Sequence, residues 1–195
     1  MQTTPKLPEQ FKPPTLSEIF KDDIELAGKS EGLNAILNHE PKAEWIKEHP
    51  FIRGHRYLPI DKVEYLLRKI FKHYKIEITG QGTAFNGVWV TVRVHYFNPA
   101  TSEMNYQDGI GASQLQTAKG KSASDMININ NGAVSMAFPL AKTLAIKDAC
   151  QLIGNIFGAN LDRQDTIRFA PDEAIIQQSR EEKRKELLAE NGVKV

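Results

Sequence analysis

Six residues, "FIRGHR" at positions 51–56, place Arg53, His55 and Arg56 around a glycine and behind the apolar pair Phe51 and Ile52. Two guanidiniums and an imidazole within one bend can donate several charge-assisted hydrogen bonds at once, and the recipient such donors suit is a phosphate or a carboxylate. Further cations recur in separate segments: Arg93 within an apolar alternation, Lys119 and Lys121 on either side of Gly120, and Lys147 in a helical stretch. Plainer readings stand beside these. Arg56 suits a brace for the turn before Pro59, and Arg93 suits a cross-strand pair with Glu77 or Glu103. Lys119 and Lys121 suit a solubilising loop, and Lys147 a solvated helix face.

Catalytic constellations are missing from the pattern. "KGKS" at 119–122 ends like a phosphate loop, but Leu115 stands where the leading glycine belongs, and a polar loop rather than a buried strand precedes it. "GQG" at 80–82 has neither a third glycine nor a following helix, so a hairpin turn is expected there. His39, His49, His55, His73 and His95 form no i, i+4 pair and have no companion cysteines, so no zinc site is expected. Cys150, among Ile146, Ile153 and Gly154, reads as a small core residue. Asp22 and Asp23 are adjacent, which on a helix sends them about 100° apart, a poor metal clamp. The expectation is a binding protein, not an enzyme, with no cofactor.

The elements that must position the cations are legible to different degrees. Residues 1–15, with Pro5, Pro8, Pro13 and Pro14, predict a flexible arm. Residues 16–39 predict two short helices separated near Gly28 to Gly32. "LPIDKVEYLLRKIFKHY" predicts an amphipathic helix: Val63, Leu66, Leu67, Ile70, Phe71 and Tyr74 share one face. Asp61 with Glu64 reads as a capping box, and Ile60 with Tyr65 as a hydrophobic staple. "KIEIT", "FNGVWVTVRVHYF" and "MNYQDGIGAS" predict a three-stranded antiparallel meander over 75–113, with Gly109 and Gly111 where the backbone bends or is closely approached. After a long polar loop (114–135), a helix is expected from Pro139 to Phe157, burying Ala141, Ala145, Ala149, Leu152 and Ile156. The fold class is therefore α+β, a β-meander packed against a long helix. One domain is expected over 16–165, and a peripheral charged helix or tail over 166–195.

The 195 residues are 41% hydrophobic and 25% charged, and the net charge is +1, so a nucleic-acid site would have to arise from uneven charge distribution. The single cysteine precludes an internal disulfide framework and fits a reducing compartment. No apolar run approaches the roughly 20 residues that span a bilayer, and the N-terminal stretch has no apolar signal core, so an intracellular protein without a membrane partner is expected.

The order helix, meander, Gly/Lys-rich loop, long helix, together with local sequence, resembles the eukaryotic Rad-fifty-two recombination family. "FIRGHR" directly before a helix is similar to that family's aromatic-Ile-x-Gly-His-Arg lead into its core helix. "VTVRVHY" resembles its central strand, "QDGIGAS" its return strand, and "AFPLAKTLAIKDACQLIGNIFGANL" its long helix. The resemblance covers residues 45–162. It implies a compact, phage- or prophage-type single-strand annealing protein in the cytoplasm of a bacterial or phage-infected cell. Such a protein binds single-stranded DNA as a homo-oligomeric ring or helical filament, bases outward, without nucleotide hydrolysis or metal. Its C-terminal tail would be free to recruit a replication or nuclease partner. The implied DNA-binding set is Phe51, Arg53, Arg56, Arg93, Lys119, Lys121 and Lys147. One departure matters: the family's Lys-Arg pair and following Arg on the long helix are Gln151, Leu152 and Asn155 here, with Lys147 one turn earlier as a partial substitute. The alternative is a single-strand-binding or replication-accessory protein that does not anneal.

Overall fold

A computed structural model describes residues 23–50, 52–122 and 125–191. Their elements are helix α1 (Ile24–Leu37), strands β1 (Lys47–Glu48) and β2 (Arg56–Tyr57), helix α2 (Ile60–Phe71), strands β3 (Tyr74–Ala84), β4 (Gly87–Asn98) and β5 (Glu103–Gln114), helix α3 (Ala133–Gln151) and helix α4 (Glu173–Glu190). Single 3-10 turns lie at Ala43–Trp45, Met126–Asn128 and Asn155–Phe157. The chain divides into two compact units: residues 32–171, and residues 23–31 together with 172–191 among those described. The expected arm over 1–15 lies outside the described residues.

In the larger unit, β3, β4 and β5 form an antiparallel sheet in that order. The architecture is α+β, as the alternation along 87–98 requires. Val88, Val90, Val92, Val94 and Tyr96 are buried beneath α3, while Trp89, Thr91, Arg93, His95 and Phe97 line the opposite face of the sheet. Helix α3 lies across β4 and β5 at very close range. A Cβ on Gly109 would sit 2.3 Å from the Ala145 carbonyl oxygen, and one on Gly111 would sit 2.1 Å from that of Ala141. Ala141, Ala145 and Ala149 face these two glycines, so backbone packs on backbone. Val63, Leu66, Leu67 and Phe71 of α2, with Leu37, Leu58, Ile146, Cys150 and Phe157, close the core.

Several expectations are corrected. "GQG" is strand, not turn: β3 runs through it after a bulge between Ile78 and Gly80, because the two glycines leave room for the Trp89 indole. The turn falls instead at Phe85 and Asn86. The capping box does not form. Helix α2 starts at Ile60 behind Pro59, whose carbonyl accepts from the Lys62 and Val63 amides, and Asp61 turns to Lys62 at 2.9 Å. Tyr74 belongs to β3, since Lys72 leaves the helix with φ +59°. Helix α3 begins six residues before Pro139, and that proline is accommodated on the exposed side. Leu152 is exposed, because the helix ends at Gln151 and its stripe ends there.

The break expected near Gly28 to Gly32 is absent: helix α1 runs through both glycines and is capped by Asp23, which accepts from the Leu26 amide at 2.8 Å, while residues 16–22 of that expectation lie outside the described residues. Gly28 is needed: a Cβ there would overlap Ser179 of α4. Asp172 caps α4 through the Ala174 and Ile175 amides, and the buried Glu31 carboxylate accepts from the Asp172 amide at 2.9 Å. Among the described residues, no helix is long and apolar enough to cross a membrane.

Candidate nucleic-acid interface

The stretch 52–56 closes a small hairpin. Lys47 pairs with Tyr57 and Glu48 with Arg56, the His49 amide donates to the His55 carbonyl at 2.8 Å, and Gly54 takes the left-handed conformation (φ +78°) that its turn requires. Two strands of two residues cannot hold this hairpin unaided. Asp162, 106 residues away from Arg56, does so: its Oδ1 accepts from the Arg56 amide at 2.8 Å, and its Oδ2 lies 2.6 Å from His55 Nδ1. The Arg56 guanidinium donates to the Leu161 carbonyl and lies 4.0 Å from the Asp162 carboxylate. About half of its side chain stays exposed.

Lys147 reaches the same corner from α3. Its Nζ lies 4.5 Å from the centre of the Tyr57 ring, a cation–π distance, and burial lowers its pKa below the usual lysine value. Arg53 stands exposed on the hairpin turn, with no hydrogen-bond or ion-pair partner for its guanidinium among the described residues. Arg53 and Arg56 thus lie on one hairpin, and Lys147 meets that hairpin at Tyr57. Phe51 lies outside the described residues.

The other expected contacts stand elsewhere. Arg93 lies on the sheet face turned away from α3. Its guanidinium forms a two-pronged pair with Asp108, directly opposite in register, at 2.7 and 2.8 Å, and stacks 4.2 Å from the Tyr106 ring centre. Hydrogen bonding to Asp108 raises the Arg93 pKa, and the same bond holds Asp108 below its ordinary carboxyl value. The cross-strand reading of Arg93 is therefore the observed one, with Asp108 in place of Glu77 or Glu103, and Arg93 is not part of the hairpin corner. Lys119 and Lys121 are exposed on a turn after β5, closed by the Lys121 amide donating to the Ala118 carbonyl at 3.0 Å, with Gly120 at φ +76°. Neither has an ion-pair partner among the described residues.

Three contributors are not evident from sequence. Asp162 gives no local signal, because its partners are distant in the chain. Tyr57 looks only like the end of a turn. Trp45, two residues ahead of β1, packs edge-on with Tyr65 and carries Lys42 at 5.2 Å and Lys62 at 5.9 Å from its ring centre. Burial pushes the Cys150 thiol up to about 12, which suits a core residue and not a nucleophile. Among the described residues, no cluster of histidine, cysteine or carboxylate side chains could hold a metal ion. No protein-family model matches the chain, and no curated protein matches it either.

Proposed function

We propose that the chain binds single-stranded DNA on the corner built by the β1–β2 hairpin and α3, and promotes annealing of complementary strands as an oligomer, without nucleotide hydrolysis. The observation that carries the reading is a hairpin, clamped by Asp162, that bears Arg53 and Arg56 and is met at Tyr57 by Lys147, about ninety residues further along the chain. The Gly-His-Arg lead into α2 and the β-β-β-α order, which resemble the Rad-fifty-two family, support it. Arg56 spends some of its donors on Leu161 and keeps others for a phosphate. Lys147, desolvated against Tyr57, interacts with an anion more strongly than a fully hydrated lysine would. Lys119 and Lys121 add charge on a turn whose backbone is open to approach. The setting proposed is cytoplasmic, with α4 and the residues after it available to a replication or nuclease partner.

Gln151, Leu152 and Asn155 favour a second reading, a single-strand-binding or replication-accessory protein that protects DNA without annealing it, because α3 offers Lys147 alone among the corner's cations. Fluorescence anisotropy with labelled oligo-thymidine across a salt series tests binding. Three neutralised phosphates give a log–log slope of about −2 per protomer. Salt-independent or undetectable binding overturns the proposal. Acceleration of pairing between complementary oligonucleotides then separates annealing from simple binding.

A further inference from the structure

Beside the hairpin, within the larger unit, lies a polar cleft of about 530 Å³, inside the roughly 300–1,000 Å³ range of small-ligand sites. Its walls come from the residues after α1, from the hairpin, from the turn after α3, and from the segment 160–169. Three arginines line it, Arg56, Arg163 and Arg168, against one carboxylate, Glu40. Arg56 is partly engaged by Leu161 and Asp162, whereas the Arg163 and Arg168 guanidiniums have no hydrogen-bond or ion-pair partner among the described residues. Phe169, which is 38% exposed, offers a ring at the cleft, and Asn38 and Asn160 supply amide groups.

We infer that this cleft binds a nucleotide bearing a phosphate monoester, and that at this site the protein holds the phosphorylated end of a DNA strand. The inference rests on the proposed DNA-binding reading and deepens it through Arg56, which the cleft and the hairpin corner share. Charge selects the monoester. An internal phosphodiester carries one negative charge, while a terminal phosphate carries about −1.5 to −2 at neutral pH and has three acceptor oxygens for guanidinium forks. Shape favours an end over a run of strand, because four chain segments border an open cleft whose volume suits one nucleotide. The Phe169 ring is placed to stack on the base, a contact that tolerates any base.

The test compares oligo-thymidine carrying a terminal phosphate at either end with the same strand ending in hydroxyls, by anisotropy competition. Thymidine monophosphate and thymidine are compared by the shift in melting temperature. The full chain and its Arg163→Gln/Arg168→Gln double variant are used, with circular dichroism to confirm that the exposed substitutions leave the fold intact. The expected result is that the phosphorylated strand binds about tenfold more tightly, that the variant loses this preference, and that it keeps its affinity for the hydroxyl-ended strand. Equal affinity for both strands in the unaltered chain overturns the inference and leaves strand binding standing, whatever the variant does. Preference retained in the double variant also overturns it. If neither strand binds but the monophosphate, and not thymidine, raises the melting temperature of the unaltered chain alone, the strand-binding reading falls and the phosphate site stands for a free nucleotide. If no probe binds, both fall.

Discussion

Replacing Asp162 by alanine sets positioning against charge at the hairpin corner. The carboxylate lies beside Arg56 and His55, so its removal makes the corner more positive, and simple electrostatics predicts tighter DNA binding. The geometry predicts the reverse. Asp162 supplies an acceptor for the Arg56 amide at 2.8 Å and the contact with His55 Nδ1 at 2.6 Å, and the hairpin has only two register pairs of its own. A hydrogen bond to a charged group is worth about 1.5–3 kcal/mol when sheltered. The Asp162 side chain is 37% exposed, so water and salt reduce each contact, and about 2 kcal/mol is reasonable for the two together. That corresponds to roughly a 30-fold loss in the docked-to-undocked ratio of the hairpin. Hydrogen exchange reads it directly: protection of the Arg56 amide falls by about that factor, while amides in β4 keep theirs. Affinity for oligo-thymidine falls as well, by no more than the same factor. Asp162→Asn, which keeps an acceptor and loses the charge, lies between the two. Unchanged protection, or tighter binding by Asp162→Ala, would refute the positioning argument.

Gly111→Ala forces a methyl group to within 2.1 Å of the Ala141 carbonyl and should destabilise the larger unit by about 3 kcal/mol, seen as a lower melting temperature. Gly32→Ala, in open space within α1, should instead stabilise by about 0.5–1 kcal/mol; equal effects would show that the α3–β5 contact is looser than described. Lys147→Met should weaken oligo-thymidine binding and reduce the salt slope by about 0.7. Because the folded-state pKa of Lys147 is lowered, the unfolded chain binds more protons between the folded and ordinary values. Stability therefore rises with pH through that alkaline window in the unaltered chain, and the methionine variant loses that rise in melting temperature. Asp108 gives a slope of the same sign, in the acid range. Its depressed folded value stabilises above the unfolded carboxyl pKa and is lost as pH falls through the folded one, so Arg93→Gln should flatten acid sensitivity while leaving oligo-thymidine affinity unchanged.

The elements with strong periodicity are readable in the chain, and those decided by distant contacts are not. Alternation over 88–96 specifies which face of β4 is buried, and the small residues at 141, 145 and 149 specify which face of α3 meets the sheet. Gly109 and Gly111 are legible as points where the backbone bends or is closely approached, and the contact with α3 decides for close approach. Local signals mislead where a tertiary partner overrides them. "GQG" looks like punctuation until Trp89 lies over it, and Asp61 looks like a cap until Pro59 takes that position. At the site, Arg53 and Arg56 are legible as a pair because they share one turn. Arg93 is not separable from them in sequence, since its orientation depends on strand register, and its pairing with Asp108 depends on a hairpin that brings together residues fifteen apart. Asp162 is invisible for the same reason: it acts through space on a segment more than a hundred residues earlier.

Charge arithmetic links the site to assembly. With Arg93 committed to Asp108 on the other face of the sheet, the corner of one chain offers Arg53, Arg56 and Lys147, and a net charge of +1 supplies little background attraction. Three cations on a single strand bind weakly at physiological salt, and linking several such corners raises the effective concentration of each for the same strand. Among the described residues, β3 and β5 form the two outer edges of the sheet, on which copies could pair. That of β5 is partly closed, because Asp148 of α3 accepts from the Ile110 amide at 3.0 Å, so β3 is the edge with more backbone to offer. Strand binding should therefore steepen with protein concentration, in step with particle mass measured by sedimentation. It should track the length of the oligonucleotide beyond what one corner can cover. A chain that stays monomeric while holding oligo-thymidine tightly, with a slope of only about −2, would show that three cations suffice and that assembly is not part of how the strand is held.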